Sequence, residues 1–284
     1  MRLRHSDIDT LIDAALKEDI PAGDITSESL ISAASRSRAV FLAKEAGVLA
    51  GLGVARRVFE RIDPGVRFRA LSRDGRTFEA GDILAEVRGR SVSLLKGERT
   101  ALNFLQRMSG IATKTRRFVE AVAGTDAKIL DTRKTTPTLR RLEKYAVRMG
   151  GGENHRSSLS DMVLIKDNHL VLVGSVSKAV RRAREKAGRG AIIEVEVGNF
   201  AAAREAVAAG ANRVMLDNMP LNRMRPIVLW LKGKAQVEVS GKVTLGGARR
   251  IAGLGVDYIS VGGLTHSFGS VDISFEFGRG RHDA

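Results

Sequence analysis

Six short apolar runs recur through the second half of the chain, and their spacing limits the folds open to it. They begin at Ala127 (AKILDTRK), Asp161 (DMVLIKDNH), Ala191 (AIIEVEVG), Arg213 (RVMLDN), Gln236 (QVEVSG) and Tyr258 (YISVGG), so that successive starts lie 34, 30, 22, 23 and 22 residues apart. The stretches between them, such as SVSKAVRRAREKAG and NFAAAREAVAAG, have helical composition and mostly end in glycine. Strand, helix and strand at this interval form right-handed βαβ units, and hence a parallel sheet. Six units can close into a barrel short of the usual eight strands, or lie open as a doubly wound sheet. Two features favour the barrel. No G-x-G-x-x-G follows a strand, and every run turns polar or glycine-rich at its end.

The first hundred residues have another texture. Ile8, Leu11, Ile12, Ala15 and Leu16 fall at helical spacing over residues 6–18, with Ser6 placed as an N-cap. Segments 39–49, 66–73 and 82–89 alternate apolar and polar residues and are split by Asp-Gly or Ala-Gly, as half-buried strands are. A helix is expected from Ser91, interrupted at Ser109-Gly110, with a further helical stretch from Ala112 to Val122. A separate α+β unit is therefore expected ahead of the strand–helix repeats.

The chain has no cysteine, which excludes disulfides, thiolate metal sites and a cysteine nucleophile. No apolar run approaches the roughly 18 residues of a membrane span, and the N-terminal stretch lacks a signal-like apolar core, so a cytoplasmic protein is expected. A net charge of +15, from 47 Lys and Arg against 32 Asp and Glu, calls for an anionic partner. The charge is spread along the chain and only 5% of residues are aromatic, which leaves little for stacking bases. Nucleic acid stays open on charge alone, and a small polyanionic substrate fits equally well.

In a β/α barrel the chemistry lies at the C-terminal strand ends. Here those ends read Asp131-Thr132-Arg133-Lys134 and Lys166-Asp167-Asn168-His169, then Glu194 with Glu196, Asp217-Asn218, Ser240-Gly241 and Gly262-Gly263. The first two are cationic, the middle two carboxylate and the last two small. Cations suit substrate carboxylates or diphosphate. Carboxylates suit Mg²⁺, which takes one or two protein carboxylates plus substrate phosphates. Serine and glycine after the last strands leave backbone N–H groups free to cradle a phosphate. The same charges would also serve as an internal ion-pair network filling the barrel mouth, and the glycine pairs as plain tight turns.

The wording of the motifs narrows this. GERTALNFLQRMSGIAT (97–113), DTRKTTPTLRRLEKYAVRMGGGENHR (131–156), LIKDNH (164–169), EVEV (194–197), MLDN (215–218), EVSG (238–241) and GVDYISVGGLTHS (255–267) resemble quinolinate phosphoribosyltransferases, in order and across nearly the whole chain. EDIPAGDIT (18–26) resembles the N-terminal segment of that family. The resemblance implies an N-terminal α/β sandwich over residues 1–115, joined by the tail 268–284, and an incomplete α/β barrel of about six strands over 116–267. It also implies at least a homodimer, with each active site shared between one subunit's barrel and the neighbour's N-terminal domain. The implied reaction joins quinolinate to phosphoribosyl diphosphate, giving nicotinate mononucleotide, diphosphate and CO₂ in NAD synthesis, with Mg²⁺. Both substrates are small anions; neither nucleic acid nor membrane is an expected partner.

Carried onto this sequence, the resemblance gives Arg99 the task of reaching quinolinate from the adjacent subunit. Arg133, His155, Arg156 and Lys166 would grip its carboxylates, and Lys134 would sit near the diphosphate or the reacting centre. Glu196 and Asp217 would organise the ribose and Mg²⁺, directly or through water. Ser240, Gly241, Gly262 and Gly263 would take the 5′-phosphate. Lys134 and Lys166 can each reach either anion in a small barrel mouth. Two positions depart from the family pattern, where glycine is expected in place of Thr138 and Lys242. Thr138 restricts a loop, and Lys242 adds a cation beside the expected phosphate site. A same-fold relative associated with molybdenum-transport operons should diverge around DTRKT, which this chain keeps intact.

Overall fold

A computed structural model describes residue 3 and residues 5–278; residues 1, 2 and 4, and the last six residues of the expected tail, lie outside the described residues. In chain order the elements are α1 (His5–Asp19), α2 (Ile25–Leu30), β1 (Arg36–Ala43), β2 (Gly47–Val48), α3 (Leu52–Ile62), β3 (Arg67–Ala70), β4 (Thr77–Phe78), β5 (Ile83–Arg90) and α4 (Ser91–Ala121). Then come β6 (Lys128–Leu130), α5 (Arg140–Met149), β7 (Val163–Ile165), α6 (Asp167–Val173), α7 (Val176–Ala187), β8 (Ile193–Val197) and α8 (Phe200–Ala208). The chain continues through β9 (Arg213–Asp217), α9 (Leu221–Leu231), β10 (Gln236–Ser240), α10 (Leu245–Ala252), β11 (Tyr258–Ser260), α11 (Gly263–His266) and β12 (Ile273–Phe277). They form two compact units: the chain up to Arg116 with residues 136–151 and the segment from Ser267, and residues 117–135 with 152–266.

The first unit is built on an antiparallel sheet in the order β12-β1-β5-β3. β1 pairs with β5 on one edge and with β12, from the far end of the chain, on the other. Phe41 of β1 meets Phe275 of β12 edge-on at 5.0 Å, and Phe59 of α3 stacks on Phe275 at 5.7 Å. Such contacts add to the apolar area that these rings bury. α3 starts where Asp74 accepts hydrogen bonds from the backbone N–H groups of Gly51 and Leu52, at 3.0 and 3.1 Å.

Two local expectations are corrected here. α1 begins at His5, so Ser6 lies within the helix rather than capping it. The expected break at Ser109-Gly110 is absent, and α4 runs unbroken for 31 residues. The reason is tertiary. A Cβ on Gly110 would stand 2.1 Å from the carbonyl oxygen of Gly269, so glycine serves close backbone approach rather than a helix end. Ser109 is fully buried and bonds both the N–H and the carbonyl of Ala50 through its hydroxyl. Packing repays the low helix propensity of both residues.

The second unit is a parallel six-stranded sheet in the order β6-β11-β10-β9-β8-β7. Successive strands are neighbours from β7 to β11, and the first strand, β6, then pairs with the last. The chain winds round once in a single sense, as in a barrel; a doubly wound sheet would reverse partway. Among the described residues β6 and β7 do not pair. β6 carries instead a parallel bridge between Leu130 and Glu153, with Glu153 N–H donating to the Ile129 carbonyl at 2.8 Å. The barrel is thus incomplete at that seam. Val195, Val214, Val239 and Ile259 are fully buried on four consecutive strands. Among the described residues, no helix is long and apolar enough to cross a membrane.

Candidate active site

Side chains two apart on a strand share a face, and three strands of the second unit use this to stack polar groups in two layers. On β8, Glu194 is fully buried while Glu196 is half-buried. On β9, Arg213 is buried and Asp217 half-buried, and on β10 Glu238 is fully buried and Ser240 half-buried. Register aligns the layers: Glu194 pairs with Arg213, and Asp217 with Ser240.

The outer layer opens into a cavity of about 460 Å³ at the strand ends. Its lining brings together Arg133, Lys134, His155, Arg156, Lys166, Glu196, Asp217, Ser240 and Gly241 from the sequence expectations, along with Asn218, Lys242, Ser260 and Glu238. Gly262 lies against this group, the site of its missing Cβ being 3.0 Å from Cδ of Lys134. Gly263 opens α11, and Arg99 is exposed on α4 in the first unit.

Local bonding explains how the mouth is held. Thr265 donates its hydroxyl to the Lys134 carbonyl at 2.8 Å, and the Lys134 N–H donates to Thr132 Oγ1 at 3.0 Å, which sets the DTRK turn and leaves the Lys134 side chain exposed. Asp131 is fully buried: it accepts the His155 N–H at 2.9 Å and the Asn154 side-chain amide. The strand-end aspartate therefore anchors the segment that carries His155 and Arg156. Burial lowers the pKa of Arg156, and repulsion from the neighbouring Arg133 lowers it further, against smaller pulls from Glu194 and Asp161. Burial raises Glu196, and repulsion from Asp217 adds to that rise, against a smaller pull from Lys166. A cation between Glu196 and Asp217 would remove that repulsion.

The inner layer is closed on itself. His155 Nε2 lies 3.1 Å from Glu194 and 3.5 Å from Glu238, and Arg213 lies 3.2 Å from Glu238 and 4.0 Å from Glu194. The guanidinium also covers the Tyr258 ring at 4.0 Å. The ligand atoms of His155, Glu194 and Glu238 fall within 4.8 Å of one another, a spacing that can hold a divalent cation. Arg213 already supplies positive charge at that place.

Burial pulls the His155 pKa down, but hydrogen bonds to Glu194 and Glu238 and their charges outweigh it and push it up to about 9. Burial, with the Glu238 charge, pushes Glu194 up to about 7. Burial would raise Glu238 too, yet the hydrogen bond and charge of His155 hold it low. One contact opposes a protonated ring, since the Arg156 N–H donates to His155 Nδ1 at 2.8 Å. The charge count decides. Where both carboxylates are ionised, an imidazolium with Arg213 balances them, whereas a neutral ring leaves net negative charge buried, which costs more than one neutral hydrogen bond returns.

Glu194 was visible in the sequence as a strand end without a task, and Arg213 and Glu238 were passed over. The period-two alternation in IEVEV, RVMLD and QVEVS is the signal: it puts Glu194 and Glu238 two residues, and Arg213 four, below a mouth residue on the same face.

Comparison with known proteins bears on the family and the fold. Residues 24–109 match the family model described as quinolinate phosphoribosyl transferase, N-terminal domain, and residues 111–276 match its C-terminal domain. The chain is 43% identical over 274 residues to the probable carboxylating nicotinate-nucleotide pyrophosphorylase of Bacillus subtilis, covering 96% of this chain and 94% of that one. The crystal structure of NadC from Streptococcus pyogenes superposes with a TM-score of 0.94 at 45% identity, over 97% of this chain and 98% of that one. The nicotinate-nucleotide pyrophosphorylase from Francisella tularensis superposes at 0.92 and 37% identity, over the same two shares.

Proposed function

The chain belongs to the quinolinate phosphoribosyltransferase family, and on that premise we propose how its residues make nicotinate mononucleotide, diphosphate and CO₂ from quinolinate and phosphoribosyl diphosphate in NAD biosynthesis. The observation that carries the reading is the meeting of a mutually repelling carboxylate pair, Glu196 and Asp217, with Arg133, Arg156, Lys134 and Lys166 in one cavity.

Arg133, Arg156 and Lys166 hold the two carboxylates of quinolinate, an arrangement that offsets the repulsion between the guanidiniums. His155 adds positive charge to that patch from below, because both its ring nitrogens are engaged within the chain. Ser240, Gly241, Gly262 and Gly263 receive the 5′-phosphate. Lys134, exposed at the mouth, faces the diphosphate. The C1′–oxygen bond breaks with its electron pair leaving on diphosphate, and the pyridine nitrogen lone pair forms the new bond to C1′. The ribose is cationic at that moment, and Glu196 and Asp217 stabilise it electrostatically. The bond from C2 to its carboxylate then breaks. CO₂ departs, the electron pair is held at C2 beside the positive ring nitrogen, and C2 takes up a proton.

Glu196 and Asp217 fit Mg²⁺, a hard cation that accepts two carboxylates and completes its shell with phosphate oxygens and water. When bound there it supplies charge neutralisation for the diphosphate. We assign the working form as a cytoplasmic homodimer or higher homo-oligomer in which Arg99 of one subunit completes the neighbour's site. In this reading residues 1–115 with the tail form the domain that supplies Arg99, and 116–267 the domain that holds both substrates. Incubation with quinolinate, phosphoribosyl diphosphate and Mg²⁺ should yield nicotinate mononucleotide and CO₂. Absence of product, or equal use of nicotinate without CO₂, would overturn the assignment.

A further inference from the structure

Among the described residues, three other than glycine have positive φ: Thr138 at 68°, Asn218 at 49° and Lys242 at 40°. Asparagine tolerates this region, whereas a lysine there crowds its Cβ against the backbone at a cost that glycine avoids. Lys242 cannot relax easily, because the loop that carries it is locked to the one before. The Asn218 N–H donates to the Ser240 carbonyl at 3.0 Å. A Cβ on Gly241 would stand 2.3 Å from Asn218 Oδ1 and 2.8 Å from its backbone nitrogen. The ends of β9 and β10 are thus closely fitted, and Lys242 follows directly on that fit.

The Lys242 side chain is exposed and lines the cavity beside Ser240 and Gly241. Strand order says which residues of the mouth it stands nearest. β10 lies next to β11, whose end carries Gly262, and three strands from β7, whose end carries Lys166. At the usual interstrand spacing this is ~14 Å across the sheet, against ~5 Å to the end of β11, so Lys242 stands nearest the residues assigned to the phosphate. A strained backbone kept at a ligand cavity points to a function that offsets the strain.

We propose that Lys242 is an affinity-determining residue of this chain, whose ammonium closes over the 5′-phosphate of the ribose substrate and which holds a left-handed backbone to do so. The inference rests on the assignment of the mouth to phosphoribosyl diphosphate. A single charge pair at an exposed position alters binding by about three- to fivefold.

The test compares wild type with Lys242→Gly, which removes both strain and charge, and Lys242→Gln, which removes charge alone. Thr138→Gly, a relief of strain outside the cavity lining, is the control. In both Lys242 variants KM for phosphoribosyl diphosphate should rise about three- to fivefold, with its calorimetric Kd. KM for quinolinate should stay within about twofold of wild type. Inhibition by nicotinate mononucleotide should weaken in parallel, while inhibition by inorganic diphosphate should hold. The thermal midpoint of the free protein should be equal or higher in Lys242→Gly, as in Thr138→Gly. An unchanged or lower KM for phosphoribosyl diphosphate in either variant overturns the proposal. So does a rise confined to Lys242→Gly, which would implicate loop geometry, or a loss confined to inorganic diphosphate. A wild-type protein that makes no nicotinate mononucleotide would instead sink the reading of the whole site.

Discussion

Along β8, Glu194 and Glu196 are separated by one residue and share a face, yet they stand in different surroundings. Glu194 has His155, Glu238 and Arg213 around it and is closed from solvent. Glu196 faces Asp217 at the edge of a cavity. Like pairings recur on the same face, with Arg213 four residues below Asp217 and Glu238 two below Ser240. The inner layer balances its charges within the chain, while the outer layer keeps like charges side by side, guanidinium with guanidinium and carboxylate with carboxylate. An internal ion-pair network and an open polar cavity therefore coexist one above the other, and the network forms the floor of the candidate site.

That contrast can be broken from below. Glu238→Ala leaves His155 and Arg213 with one carboxylate between them, and should destabilise the fold by about 3–5 kcal/mol, read from urea unfolding. A loss under about 1 kcal/mol would mean the inner layer is not a balanced cluster. From above, Glu196→Gln should lower kcat by about 10²–10³-fold. Its thermal midpoint should not fall, because the carboxylate removed was repelled by Asp217. A variant that unfolds early would move Glu196 into the structural layer.

Between pH 6.5 and 9 the pH dependence of stability should report chiefly the inner layer. The folded pKa of His155 is raised to about 9, above its ordinary 6.5, so its stabilising effect is full below 6.5 and is lost as pH rises toward 9. Glu194, raised to about 7 from 4.5, also loses stability with rising pH, over a lower window. Unfolding free energy should therefore fall by roughly 3 kcal/mol between pH 6.5 and 9. His155→Gln should abolish that slope; a slope that persists would assign it elsewhere. The smallest effect tests whether the outer layer is completed by a second subunit. Arg99→Ala and Lys134→Ala, each inactive, should regain about a quarter of wild-type activity when mixed and allowed to exchange, since half the dimers then hold one intact site of two. Mixed dimers that exchange yet stay inactive would rule out a shared site.

Much of the site was legible because strand ends are marked by where an apolar run stops. Arg133, Lys134, Lys166, Glu196, Asp217, Ser240 and Gly241 all line the cavity and were placed by that rule or by motif wording. The inner layer was less legible, because a charged residue inside an apolar run gives no local sign of its partner. Arg213 and Glu238 are 25 residues apart, and only parallel register brings them to 3.2 Å. Ser109-Gly110 misled for a similar reason. Its local propensity is that of a helix end, and the contact with Gly269 that overrides it lies far along the chain.

By itself the sequence determined the alternation of strand and helix, the sign of charge at each strand end and the family. These are local or periodic properties, written in residues near one another. Tertiary structure alone decided that the sheet winds once rather than reversing, that Asp131 anchors the His155 segment instead of facing the mouth, and that Lys242 keeps a left-handed backbone. Each depends on hydrogen bonds or close contacts between residues distant in the chain, whose energies appear only when the strands are brought into register.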